Sequence, residues 1–203
     1  MVKIKICGLM SEGDCKYLNE LMPDAAGFVF AKGRRRYISP ETAGRFRELL
    51  DPRIQTVGVF VNEDIGTVCD IARAGIINAV QLHGNETDEY VRSVKDETGL
   101  RTVKAFTIKG AADIERALCS SADIVLLDNG AGGTGESFDW EELEDVDRLF
   151  CIAGGLDPEN VGNAVSRYSP YGVDVSSGVE TDGKKDSYKI RRFIEAVRSA
   201  DTF

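Results

Sequence analysis

Eight short apolar runs, recurring about every 20–30 residues, constrain this chain more than any other feature. They are KIKIC (3–7), AAGFVF (25–30), QTVGVFV (55–61), NAVQL (78–82), RTVKAF (101–106), DIVLLD (123–128), LFCIA (149–153) and YGVDV (171–175). Runs this short and this rich in Val and Ile are what parallel strands buried on both faces look like. The segments between them have helical spacing. Ser39 caps one, Pro40 takes its first turn, and Ala43, Phe46, Leu49 and Leu50 supply the apolar face. Ile65, Val68, Ile71 and Ala72 make another face, as do Tyr90, Val91 and Val94, and then Ile114, Ala117 and Leu118. A last helix is expected from about 185 to 197, with Ile190, Phe193, Ile194 and Val197 inward. Eight strand–helix units in 203 residues predict one α/β domain over 1–203, a single (β/α)8 TIM barrel. An open doubly wound sheet is the competing arrangement.

Two glycine-bearing turns near the C-terminus favour closure. In CIAGGLDPENV (151–161), Gly154 and Gly155 precede Asp157, which reads as a helix N-cap, and Pro158, which reads as the first helical residue. In YGVDVSSGVE (171–180), Ser176, Ser177 and Gly178 form a second small-residue turn. Such turns leave backbone N–H groups free and let an anion come close. Two of them, one strand apart, are where a parallel α/β barrel holds a phosphate. Each alone also reads as an ordinary strand-to-helix turn.

Composition narrows the class. No stretch approaches the ~20 apolar residues of a membrane span. The start, MVKIKICGLM, is interrupted too soon to be a signal peptide. Five cysteines, an odd number without a CxxC pair, suggest neither a disulfide framework nor a zinc or other metal site, and a reducing cytoplasm fits them. A net charge of −9 argues against nucleic acid as a partner. The expected partner is a small molecule, with the chain a monomer or homodimer.

In a barrel of this kind the chemistry sits at the C-terminal ends of the strands. Strand 1 ends at Cys7, which reads either as a nucleophile or general base, or as a small buried apolar residue. Strand 6 ends at Asp128, a partly desolvated general acid or else a turn carboxylate. Arg36 follows strand 2 and is suited to bidentate pairing with a carboxylate, whereas Arg34 and Arg35 read as a solvated basic loop. His83, the only histidine, ends strand 4; it is a candidate base, but without an acidic or cysteine partner nearby in sequence it reads as a structural or site-lining residue.

These residues carry a resemblance. KICG (5–8), GFVF (27–30), RRYISPE (35–41), VGVFVN (57–62), AVQLHG (79–84), LLD and GGTG (126–135), AGGLDPENV (153–161) and GVDVSSGVE (172–180) occur in this order. Together they make the chain resemble the phosphoribosylanthranilate isomerases of tryptophan biosynthesis over almost its whole length. The resemblance implies a (β/α)8 barrel without cofactor or metal and a small phosphosugar substrate. It also implies that Cys7 is the general base, Asp128 the general acid and Arg36 the residue facing the anthranilate carboxylate. By the same resemblance Gly154, Gly155, Ser177 and Gly178 hold the phosphate, and His83, Gly133 and Thr134 line the site. Three departures concern loops. The segment from Asp128 to Gly132 is short, Gly33-Arg34-Arg35 stands where the family often has serine, and no proline precedes Gly183. A histidine-pathway aminoaldose isomerase would use an aspartate where Cys7 stands. A non-catalytic phosphosugar-binding barrel would need neither Cys7 nor Asp128.

Overall fold

All eight apolar runs form strands. In the computed structural model, which describes residues 1–129 and 148–201, they are β1 (Lys3–Cys7), β2 (Ala25–Val29), β3 (Gln55–Phe60), β4 (Ala79–Leu82), β5 (Arg101–Thr107), β6 (Ile124–Asp128), β7 (Phe150–Ala153) and β8 (Gly172–Val175). Each pairs in parallel with the next, and β8 pairs with β1, so the sheet closes on itself. The open-sheet alternative is thereby excluded. Closure sets the register that matters for the site: Cys7 lies opposite Gly27 of β2, and Lys5 opposite Asp174 of β8.

Helices α1 (Glu12–Leu21), α2 (Pro40–Leu49), α3 (Ile65–Arg73), α4 (Asp88–Thr98), α5 (Ala111–Leu118), α6 (Val161–Tyr168) and α7 (Ser187–Ala200) occupy the connections. The strand residues that point outward, such as Ile4, Ile6, Phe28, Phe60, Val125 and Leu127, pack with the inner faces of these helices into one core. A smaller cluster of Ala105, Leu126 and Ala153, with Val103 and Cys151 against it, fills the inside of the barrel. Two short strands, β9 (Glu180–Thr181) and β10 (Lys184–Lys185), form an antiparallel hairpin between β8 and α7.

Helix ends differ from expectation in three places. Leu49 is 46% exposed, because α2 stops there and the extended backbone of Leu50 turns that residue inward instead. Asp157 does cap, its Oδ1 accepting from the N–H groups of Glu159 and Asn160, but the turn it caps precedes α6, which begins at Val161. Lys185 belongs to the hairpin, and Asp186 caps α7 by accepting from Tyr188 and Lys189. Gly133 and Thr134 lie outside the described residues, as does the short segment after Asn129.

Candidate active site

The strand period of two decides what β1 offers the barrel. Ile4 and Ile6 face the helices, so Lys5 and Cys7 face inward. Lys5 Nζ donates to Asp174 Oδ2 at 2.7 Å, an ion pair largely removed from water. Burial would lower the pKa of this ammonium, but Asp174 and Cys7 outweigh it and the pKa is raised. The Cys7 thiol is pushed up by burial, with Lys5 pulling it down, Asp174 pushing it up, and Lys185 also pulling it down. Ser176 Oγ donates to the Cys7 carbonyl at 3.0 Å and ties β1 to the turn after β8.

Next to Cys7 stands a charged cluster built from two loops. The stem of Arg36 packs over Gly8, the residue after Cys7. Its Nε and Nη2 donate to Glu180 Oε1 and Oε2 at 2.7 and 3.0 Å, a bidentate pair. Glu180 also accepts from Arg35 Nη2 and from Lys185 Nζ, which is 3.0 Å from Oε1. Burial would raise the Glu180 pKa, but hydrogen bonds from Arg36, Arg35 and Lys185 hold it down at about 2. Lys185, whose side chain is wholly buried, donates in addition to the Ser176 carbonyl at 2.9 Å. Arg35 is therefore more than a solvated loop residue, since it also bonds the Gly183 carbonyl at 3.0 Å. Arg36 offers one edge to Glu180, so a substrate carboxylate would have to approach its Nη1 side.

Across the mouth, Asp128 ends β6 and His83 follows β4. Gln81 Nε2 can only donate, so at 3.2 Å the His83 Nδ1 accepts from it. His83 Nε2 then carries the proton and donates to Asp128 Oδ2 at 3.1 Å. Beside them opens a cleft of ≈ 680 Å³ that includes His83, Lys104 and Phe106 in its lining. Lys104, buried, donates to the Gly84 carbonyl at 2.8 Å and pairs with Glu86 at 3.2 Å, fixing the loop that carries His83.

The two glycine turns meet between these sides, after β7 and β8. Gly154 and Gly155 have φ of +85° and +66°, which an L side chain adopts only with strain. Ser177 and Gly178 lie in a single 3-10 turn, Ser177–Val179. A Cβ on Gly178 would run into the Leu156 carbonyl, so glycine is what lets the turns touch. Asn160 clamps the first turn, donating to the Gly155 carbonyl at 2.8 Å and accepting from the Asp157 N–H at 2.9 Å.

The structure thus gathers Cys7, Arg36, His83, Asp128 and both glycine turns at one end of the barrel. Lys5, Gln81, Asp174, Glu180 and Lys185 stand among them although sequence reasoning did not single them out. A signal for three of these was present: Lys5, Gln81 and Asp174 each interrupt an apolar strand at an inward position. Among the described residues, no group of three or more His, Cys, Asp or Glu is placed to hold a metal ion.

The family model for N-(5′phosphoribosyl)anthranilate (PRA) isomerase matches residues 4–196. A protein of Acetivibrio thermocellus named N-(5′-phosphoribosyl)anthranilate isomerase is 46% identical over 214 residues, covering 99% of this chain and 98% of that one. The crystal structure of phosphoribosyl anthranilate isomerase from Thermotoga maritima superposes with a TM-score of 0.89 at 41% identity, covering 98% of this chain and all of that one. Another phosphoribosyl anthranilate isomerase structure, in complex with reduced 1-(o-carboxyphenylamino)-1-deoxyribulose 5-phosphate, gives a TM-score of 0.87 at 40% identity, covering 98% and 100%.

Proposed function

This chain belongs to the N-(5′-phosphoribosyl)anthranilate isomerase family, and from that premise we propose that Cys7 and Asp128 run its reaction as general base and general acid. The reaction is the isomerisation of N-(5-phosphoribosyl)anthranilate to 1-(o-carboxyphenylamino)-1-deoxyribulose 5-phosphate in tryptophan biosynthesis. The supporting observation is that both groups end strands of one closed barrel, Cys7 near two ammonium groups and Asp128 hydrogen-bonded to His83.

Asp128 protonates the furanose ring oxygen as the C1′–O bond breaks, and the anilinic nitrogen lone pair forms the C1′=N iminium. The Cys7 thiolate then takes the C2′ proton. The C–H electron pair becomes a C1′=C2′ bond and the iminium electrons return to nitrogen, giving an enolamine that tautomerises to the ketone. The iminium is its own electron sink, so these steps call for no cofactor. Burial raises the Cys7 pKa, which makes its thiolate a stronger base once formed. The passing iminium adds a positive charge that favours the thiolate when it is needed. A carboxylate left on Asp128 and a thiol left on Cys7 are reset by one proton exchanged through solvent.

Arg36 binds the anthranilate carboxylate on its Nη1 side, with Glu180 fixing the guanidinium plane. The phosphate sits on backbone donors around Gly154, Gly155, Ser177 and Gly178, where two positive-φ glycines and a tight turn face one another. A reducing cytoplasm fits the free cysteines, and no described helix is long and apolar enough to cross a membrane. A Thermotoga maritima relative is described as dimeric, which supports a homodimer as one of the two assembly states expected here. A turnover assay following anthranilate-ring fluorescence tests the function. Purified protein that leaves that signal unchanged with substrate present would refute it.

A further inference from the structure

The inside of the barrel beneath Cys7 holds a charge pair that the acid–base scheme does not use. Lys5 and Cys7 are two residues apart on one strand and point the same way. The place a Cβ on Gly27 would occupy is 2.8 Å from Cys7 Sγ and 3.1 Å from Lys5 Nζ. The ammonium and the sulfur are therefore no more than about 6 Å apart, within the range where one charge shifts the ionisation of another. Glycine at 27, directly opposite Cys7 in register, leaves the space they share.

Lys5 is held there by Asp174 at 2.7 Å, which uses one of its three N–H donors. Asp174 is itself buried, and its second oxygen, Oδ1, has no hydrogen-bond partner among the described residues. Its negative charge is thus only partly compensated and also acts on the sulfur. The other charged groups facing this spot come from the hairpin and the loop after β2. Lys185 is committed to Glu180 and the Ser176 carbonyl, and Arg36 to Glu180. Cys151 of β7 faces the Lys5–Asp174 pair too, but its thiol is pushed up to about 12 by burial and stays protonated at neutral pH. Lys5 is therefore the cation that is paired with Asp174 and whose head lies against Cys7.

We propose that Lys5 is a positioning residue for the reaction, an ammonium held by Asp174 that sets how readily the Cys7 thiol ionises, with Asp174 as the opposing charge. The inference rests on Cys7 as the base for its bearing on catalysis, but the thiol itself reports on it independently. A purely structural salt bridge makes a different statement. Breaking it from either end would then have the same consequence, whereas control of the thiol gives the two ends opposite signs.

The test is the pH dependence of Cys7 alkylation by iodoacetamide, read on the Cys7 peptide by mass spectrometry, beside the pH profile of kcat/KM. Lys5→Met should move the Cys7 alkylation limb up by at least about one pH unit, and Lys5→Arg should bring it back toward wild type. Asp174→Asn should move it down. If Lys5→Met does not fold with Asp174 left unpaired, the double variant Lys5→Met/Asp174→Asn removes both charges together. Its limb should still lie above wild type, because the ammonium acts on the sulfur more strongly than the carboxylate does. Limbs that move the same way in the Lys5→Met and Asp174→Asn variants, or that stay in place without Lys5, overturn the proposal. An alkylation limb that shifts as expected while the kcat/KM limb stays fixed upholds Lys5 as the control on the thiol and removes Cys7 as the base.

Discussion

Cys7 and Asp128 stand at equivalent places, each the last residue of its strand, yet the described groups around them differ. Around Cys7 the barrel, the loop after β2 and the last hairpin gather Lys5, Lys185, Arg36, Asp174 and Glu180, joined in ion pairs. Asp128 Oδ2 is hydrogen-bonded to His83, which in turn contacts the neutral amide of Gln81. A base that must exist as a thiolate benefits from cations held in place before substrate arrives. An acid that must hold a proton is favoured by removal from water. In the proposed scheme the two roles are therefore set by what surrounds each group, since position on the strand is the same.

Replacing the two groups tests this contrast most severely. Cys7→Ala and Asp128→Asn should each lower kcat by at least about 10²-fold, the usual loss for a missing general base or acid. Single-turnover rates on the folded variants, checked by circular dichroism, read the effect. If one variant turns over within a few-fold of wild type, the division of labour between the two sides fails at that residue.

Acid should then strike the two sides unequally. Glu180 has its pKa depressed to about 2 in the folded state from an ordinary 4.5. A depressed carboxylate contributes stability that is fully present above its unfolded value and is lost as pH falls from about 4.5 toward 2. Because Glu180 is buried, the contribution at neutral pH is on the order of 3 kcal/mol. Glu180→Gln should accordingly lower Tm at pH 7, and the gap to wild type should narrow as pH falls to 3. A gap that is constant with pH would mean that Glu180 stabilises through packing and not through charge.

Arg36 belongs to the charged side but faces substrate in this reading. Arg36→Met should raise KM with kcat little changed, because a carboxylate contact is felt in ground and transition states alike. The expected cost is about 1.5–3 kcal/mol for a lost charge-assisted hydrogen bond. An unchanged KM would make Arg36 only the partner of Glu180.

The barrel was legible from strand spacing together with the two glycine turns, and all eight strands fall within a residue or two of their apolar runs. What the apolar reading concealed was the barrel interior. KIKIC and YGVDV were read as buried strands, and a buried strand in a closed barrel has an inner face as well as an outer one. Lys5 and Asp174 sit on that inner face, where two residues distant in sequence by most of the chain neutralise each other. Each breaks an apolar run, yet their pairing cannot be read until closure of the sheet brings β8 beside β1. Helix α1 escaped for the opposite reason: within Glu12–Leu21 only Asp14, Cys15 and Leu18 are buried, too narrow a stripe to show as a helical period. The pairing of Arg36 with Glu180 joins the loop after β2 to the hairpin after β8, and no local pattern announces it.

Between the charged side and the acid side lie β7 and β8, and the turns after them contribute backbone where their neighbours contribute side chains. The substrate carries a carboxylate and a phosphate, while the protein itself stands at −9. At physiological salt the overall field is screened beyond about 8 Å, so affinity for the phosphate has to come from N–H groups within contact distance. Gly155 is exposed and has φ of +66°, so a valine there costs roughly 1–2 kcal/mol of local strain, without displacing the core. Its side chain would stand where the phosphate approaches. Gly155→Val should therefore weaken substrate binding and inhibition by inorganic phosphate together, by about tenfold or more for each charge-assisted hydrogen bond lost, with far-UV circular dichroism unchanged. The pH profile of kcat should keep both limbs in place, because neither Cys7 nor Asp128 loses a neighbour. If both ligands bind as in wild type, the phosphate is held elsewhere. If the limbs move, the turns are electrostatically part of one of the two sides and not a neutral platform between them.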